Sequence, residues 1–206
     1  MAKTGTSDND ALVQEEILRV ALRLYKKSGP GKVTMDDIGN ATGRSRSSLY
    51  YYYKNHDEVF QAVMGKIAND VAMDIRNAVS EAATLEDKIY AFCIKKLKTS
   101  EEWKQVLNAM WSSLSANDKS GHMVAIGTLH KRLIYHESNI IREVLSASVA
   151  EGGIRAVTPA DQDMLAFIIS GGLRGIRNEI YEHNDPHDIK QAVRLLADVV
   201  IKWLKG

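Results

Sequence analysis

Between Thr34 and Val63 the chain concentrates side chains able to grip anions and base edges: Arg44, Ser45, Arg46, Ser47, Ser48, Tyr50, Tyr51, Tyr52, Lys54 and His56. Arginines are long donors that pair with the guanine edge through O6 and N7 or simply neutralise phosphate, and the sequence leaves both options open. Serines are short enough to let backbone approach backbone. A serine at position 45, ahead of Arg46, is a helix cap, so its helix presents a first turn of arginine and serines. On that helix Leu49 and Tyr53 share one face and should pack inward. Tyr50, Tyr51 and Tyr52 then sweep round the sides and leave at least one or two hydroxyls outward. The bland alternative is a compact three-helix knot whose tyrosines merely pack.

Other chemistry is thin. The six histidines are His56, His122, His130, His136, His183 and His187. Glu179 and His183, and again His183 and His187, have one-turn spacing, but Pro186 interrupts the second pair and no third ligand is placed, so no metal or cofactor is expected. The single cysteine, Cys93, has no neighbour that marks it as a nucleophile and no partner for an internal disulfide. No catalytic residues are expected. A lone cysteine fits a reducing compartment, and the cytoplasm is the expected location.

These side chains need short helices to position them. Thr34, with Asp37 three residues on, has capping-box spacing, and Met35, Ile38 and Ala41 form an inner face before Gly43 stops the helix. Ser45 opens the next, and Asn55 with Glu58 opens a longer one striped by Val59, Val63, Ile67, Val71 and Ile75 as far as about Ser80. A preceding helix, about Asp10 to Lys27, carries Val13, Ile17, Val20, Ala21 and Leu24, and Ser28-Gly29-Pro30-Gly31 ends it. Two short helices joined by a glycine-containing turn are the minimal helix-turn-helix.

The rest of the 206 residues reads as helices too: 45% of residues are apolar, mostly at three- and four-residue spacing, and only three are prolines. One helix starts at Thr84 with Asp87, a second near Thr99–Ser100, and Asn117–Gly121 reads as a loop. A long helix from His122 to about Glu151 is closed by Gly152-Gly153. Thr158-Pro159-Ala160-Asp161 and Asp185-Pro186-His187-Asp188 each offer a cap, a proline at the first helical position and an acid at the third. The expected fold is all-α with about nine helices. No apolar run reaches the roughly 18 residues of a membrane span, and the polar N-terminus lacks an apolar signal region.

The net charge of +1 hides an asymmetry, because residues 1–56 hold nine Lys/Arg against six Asp/Glu. The basic end is the end that carries the anion-binding side chains, which suits a surface facing phosphate and equally an ordinary solvated helix face.

Residues 10–64 resemble the DNA-binding domain of the TetR/AcrR family of bacterial transcriptional regulators. The resemblance lies in Ser28-Gly29, Val33-Thr34-Met35, Ile38, Gly43, Ser45, Leu49-Tyr50, Tyr53, Lys54 and Asp57-Glu58. It implies a tail over 1–9, a helix-turn-helix domain over 10–54 and a helical ligand-binding and dimerisation domain over 55–206. It further implies that Thr34 meets a phosphate, that Arg46, Ser47 and Ser48 face the major groove, and that Tyr50 and Tyr52 touch the DNA backbone. Lys54 and His56 occupy places where the family often has a base. Four positions depart from the family pattern: Gly39 for alanine, Arg44 for an apolar turn residue, and Asp36 with Asp37 where bases are common.

The implied partners are a palindromic double-stranded operator, a small-molecule effector and a second copy of the chain, with no membrane. Pocket candidates are Phe92, Cys93, Trp103, Met110, Trp111, Met123, Ile126, Leu133 and Phe167, residues that ordinary core packing would equally use. Dimer candidates come from the last two helices, which are apolar enough for an intersubunit four-helix bundle, with ordinary intramolecular packing as the alternative: Phe167, Ile168, Gly171, Gly172, Gly175, Ile176, Val193, Leu196, Val200 and Trp203. The expected function is a repressor released by its effector. An activator, a regulator answering to a protein, or a helical dimer without DNA function are the alternatives.

Overall fold

A computed structural model of the chain describes residues 4–112, 114, 116–183 and 186–206, with no side chain described over 1–8, at 113, or over 115–121 or 184–185. Among the described residues the protein is all-α, with eight helices: α1 (Thr4–Ser28), α2 (Met35–Thr42), α3 (Arg46–Tyr52), α4 (His56–Ser80), α5 (Leu85–Ser112), α6 (Ala116–Ala150), α7 (Pro159–Glu182) and α8 (Ile189–Lys205). The chain folds as two compact units, one of residues 1–68 and 103–130, the other of 69–102 and 131–206. The helix-turn-helix expected over 10–54 lies within the first unit.

Nearly every helix boundary follows from local chemistry. Gly29, at φ 81°, accepts the backbone turn that stops α1, and Pro30 opens a single 3-10 turn. Thr34 caps α2 with a complete capping box: its hydroxyl accepts from the Asp37 amide at 3.2 Å, and Asp37 Oδ2 accepts from the Thr34 amide at 2.8 Å. Gly43 ends α2 in the left-handed region. Ser45 caps α3 through the Ser48 amide, Asn55 caps α4 through the Glu58 amide, and Thr84 caps α5 through the Asp87 amide.

Four boundaries differ from the expectation. α1 begins at Thr4, so residues 4–9, expected in the tail, are helical. The two helices expected at Thr84 and Thr99–Ser100 are one, α5. Thr99 can begin a helix, but here its hydroxyl bonds back to the carbonyls of Lys95 and Lys96, at 3.0 and 3.2 Å, and the backbone runs on. Asn117–Gly121 is not a loop but the start of α6. The cap of α8 is Asp188, which accepts from the Gln191 amide at 2.8 Å, so Pro186 lies before the helix; Asp185 falls outside the described residues. Merging the two halves of α5 gives eight helices where about nine were expected.

In the first unit, Val13, Ile17, Val20, Ala21 and Tyr25 of α1 meet Ile38 and Leu49 in a core completed by Val59, Val63, Met64 and Ile67. Tyr25 takes the last inward position of α1, and Leu24 is half-buried. In the second unit Ile75, Ile89, Phe92, Cys93, Ile140, Ile141 and Leu145 are buried, as are Leu165, Ile169 and Leu173 of α7. A buried ion pair, Lys96 with Glu137, sits among them, and Ser170 donates to Glu137 at 3.4 Å. Two charges out of water persist only when paired and hydrogen-bonded, and this pair is both.

The glycines of α7 divide by surroundings. A Cβ on Gly172 would come within 3.3 Å of Leu196 Cδ2, so this glycine lets α7 and α8 approach. A Cβ on Gly171 or Gly175 would meet nothing within 4 Å.

Candidate nucleic-acid interface

α3 buries a single residue, Leu49, at its centre. Tyr53, just past its end, is buried as well. With those two side chains spent on the core, Ser45, Arg46, Ser47, Tyr50 and Tyr51 are exposed and Ser48 and Tyr52 half-buried. Tyr51 is the most open of the tyrosines at 75% exposure. It packs edge-on against Tyr52 at 4.9 Å. The expectation that Leu49 and Tyr53 turn inward while the other tyrosines sweep outward describes this helix.

α3 also sits unusually close to α2. A Cβ on Gly39 would fall 3.1 Å from the Arg44 carbonyl and 3.3 Å from Leu49 Cδ1. Glycine in place of the family's alanine therefore belongs to the packing of these two helices, and the Arg44 amide donates to the Gly39 carbonyl at 2.9 Å.

The outward donors are held by carboxylates. Arg46 Nη1 donates to Asp36 Oδ2 at 3.3 Å and Nη2 to the Tyr50 hydroxyl at 3.5 Å, with the guanidinium over the Tyr50 ring. The Tyr50 hydroxyl and the charge of Asp36 push the Arg46 pKa up, so its charge is secure. Arg44 Nη2 donates to Glu16 of α1 at 3.1 Å. The Tyr52 hydroxyl donates to Asp10 Oδ1 at 2.9 Å, a bond that raises its pKa. Asp37 is held below the ordinary carboxylate range by its hydrogen bonds from Thr34.

The acids and the arginine that depart from the family pattern thus have local explanations. Asp36 anchors Arg46, Asp37 closes the capping box, and Arg44 pairs with Glu16.

Thr34 is exposed at the head of α2 and Lys54 is exposed beyond α3. His56 differs from both: it is half-buried, and its Nε2 lies 3.0 Å from the hydroxyl of buried Tyr25.

The other candidate sets fare unevenly. Phe92, Cys93 and Met110 are buried, and Trp103, Trp111, Ile126 and Leu133 are half-buried. Met123 and Phe167, at 62% and 68% exposure, lie on the surface of their own helices and are poor members of an enclosed pocket. Trp103 is covered by the Lys26 ammonium, 4.6 Å from its ring. Burial pushes the Cys93 thiol up to about 12, against a smaller lowering by Lys96, so at neutral pH it is neither thiolate nor nucleophile.

On α7, Phe167, Ile168 and Gly175 are exposed, with Gly171, Gly172 and Ile176 half-buried. On α8, Val193 and Val200 turn fully into the chain's own core, and Leu196 is half-buried against it. This is a correction to the dimer set, because the inward stripe of α8 is Val193, Ala197, Val200, Ile201 and Leu204. Its outward apolar residues are Leu195, Val199 and Trp203. The Arg155 guanidinium stacks on Trp203 at 3.9 Å. α8 is apolar on two sides, and its sequence does not say which one the rest of the chain uses.

Comparison with known proteins agrees with this geometry. Residues 17–63, from the middle of α1 to the second turn of α4, match the family model for bacterial regulatory proteins of the tetR family. The chain is 21% identical over 198 residues to the "Probable acrEF/envCD operon repressor" of Escherichia coli K12, covering 92% of this chain and 85% of that protein. Among solved structures it resembles a transcriptional regulator of the TetR/AcrR family from Thermobifida fusca, at 20% identity and a TM-score of 0.57 over 90% of this chain and 96% of that one. It equally resembles the superantigen PfiT, at 22% identity and a TM-score of 0.57 over 93% and 95%. The structural likenesses therefore speak for the fold alone. No helix among the described residues is long and apolar enough to cross a membrane. A matched N-terminal segment that coincides with the α2–α3 pair, a repressor similar along nearly the whole length and an all-helical fold together support a transcriptional regulator of the TetR family.

Proposed function

We propose that this regulator is a homodimeric repressor whose α3 enters the major groove of a palindromic operator and leaves it when a small molecule binds the C-terminal helices. The observation that carries the reading is the division of α3. One central leucine is buried, and arginine, serines and two tyrosines are presented outward on a seven-residue helix.

In this reading Arg46, Ser47 and Ser48 meet base edges, while Thr34, Tyr50, Tyr51, Tyr52 and Lys54 meet phosphates and sugars. Arg44, Ser45 and His56 support them from behind through Glu16, the Ser48 amide and Tyr25. DNA displaces Asp36 from Arg46, exchanging an exposed ion pair worth little for contacts to bases or phosphate. Dimerisation through the outward faces of α7 and α8 supplies the second α3 that a palindrome requires. The effector acts only through its different affinity for the two conformers, and DNA weakens effector binding by the same factor.

The experiment is fluorescence anisotropy with DNA from the chain's own promoter region at several salt concentrations. Specific binding that weakens steeply with salt is expected. Arg46→Ala should weaken it by about 1–3 kcal/mol, with the melting temperature and dimer mass unchanged. A folded dimer with no salt-sensitive binding to that DNA would overturn the proposal and leave a regulator working through a protein partner, or a helical dimer without DNA function.

A further inference from the structure

Two residues opening α4 and one early in α6 converge, although 66 positions of chain separate them. His56, Asp57 and His122 each place one potential ligand atom within 4.8 Å of the other two, inside the first compact unit. His122 is buried, His56 half-buried and Asp57 exposed. We propose that His56, Asp57 and His122 form a binding site for a divalent transition-metal cation of the zinc(II) class.

The donor set selects the class. Two imidazoles and one carboxylate suit zinc(II) and its neighbours, whereas calcium and magnesium take oxygen. A tetrahedral centre with bonds of roughly 2.0–2.1 Å sets its ligands on the order of 3.3 Å apart. Donors already inside 4.8 Å of one another stand close to that spacing. Three protein ligands leave a fourth position to solvent or to an oxygen of a small molecule.

The surroundings are those of an oriented ligand set. The Tyr25 hydroxyl lies 3.0 Å from His56 Nε2, and the two rings meet edge-on at 5.4 Å. When Nε2–H donates to Tyr25, the lone pair is on Nδ1, which is the outer-shell arrangement that fixes a ligating imidazole. Phe60 packs edge-on against His122 at 4.2 Å and limits how that ring can turn. Each residue has an ordinary explanation alone: Asp57 complements the start of α4, and a buried histidine is common core. What points to an ion is that three groups of the right donor type converge from two distant segments.

The site stands four residues past the end of α3. A bound cation would tie the head of α4 to α6, and any effect on operator affinity rests on the DNA-binding reading above. Cation binding does not rest on it.

The test uses the untagged full-length chain without DNA, so its failure leaves the DNA reading as it stands. Zinc chloride is titrated by calorimetry, and cobalt(II) chloride by its visible d–d absorption. One ion per chain is expected, with a zinc-induced rise in melting temperature. His122→Gln and Asp57→Asn should each weaken binding by at least about tenfold and remove the cobalt band. Tyr25→Phe, which touches no ion, should weaken it by about 10–100-fold. If His122→Gln fails to fold by circular dichroism, the exposed Asp57→Asn decides. Absence of uptake by the wild type, or uptake that Asp57→Asn leaves unchanged, overturns the proposal.

Discussion

α3 and the outward faces of α7 and α8 are both surfaces that the chain leaves uncovered, and they are built oppositely. α3 shows arginine, serine and tyrosine hydroxyls, with Arg46 and Tyr52 held by carboxylates and Ser45 spent on the cap. α7 and α8 show Met164, Phe167, Ile168, Leu195 and Val199, with Trp203 under Arg155. A polar surface with paired donors is stable in water and ready to exchange its partners for phosphate. A cluster of large exposed apolar side chains lowers its free energy only by being covered, the mark of an interaction surface. In the proposed function the two faces therefore take different partners, a polyanion for one and an apolar protein surface for the other.

The widest separation between them should come from a charge placed on the apolar face. Phe167→Asp with Val199→Asp would bury carboxylates at a symmetric interface, at a cost on the order of 3–5 kcal/mol for each unpaired charge. That is at least ~100-fold in the dimer dissociation constant. Sedimentation should show a folded monomer, and a variant that remains fully dimeric would place the interface elsewhere.

Leu49→Ala probes the polar face from beneath. Leu49 is completely buried and touches the position where a Gly39 side chain would lie, so its truncation should cost about 2–5 kcal/mol in denaturant unfolding. Gly39→Ala should be milder. Alanine adds about 1 kcal/mol of helix propensity, and the clash with the Arg44 carbonyl removes about 1–3 kcal/mol. A clear gain in stability from Gly39→Ala would mean that α2 and α3 are not held so close.

The smallest effect concerns the cap below α3. Because Asp37 is depressed in the folded chain, its contribution is present above its ordinary value near 3.8 and is lost as pH falls through the folded value below it. Thr34→Val removes the hydroxyl of the capping box, so the acid-side loss of stability below about pH 4 should be shallower in the variant than in the wild type. An identical acid limb in thermal melts would show that the pair contributes nothing measurable.

Legibility followed the range of the interaction. Caps at Thr34, Ser45, Asn55, Thr84 and Thr158 link residues three apart, and all five stand in the structure as their spacing requires. Thr99 shows the limit of that signal, since a threonine that caps one helix can equally bond back within another. Burial was half legible. Leu49 and Tyr53 pointed inward as their spacing implied, but Val193 and Val200 were separable from Leu195 and Val199 only once α7 packed against one side of α8. The exposure of Met123 and Phe167 was illegible for the same reason, because an apolar residue on a helix does not declare which neighbour covers it.

Sequence alone determined an all-helical chain, the placement of its N-terminal helix-turn-helix and the resemblance to TetR regulators, because capping, glycine stops and three-to-four spacing act over a turn or two of chain. Tertiary structure decided what pairs across long gaps: Arg44 with Glu16, Tyr52 with Asp10, Tyr25 with His56, and His122 beside the head of α4. Those contacts join residues 28 to 66 positions apart, and no local preference encodes them. They exist only because buried faces of α1, α4 and α6 must be covered, and covering them brings particular polar groups together.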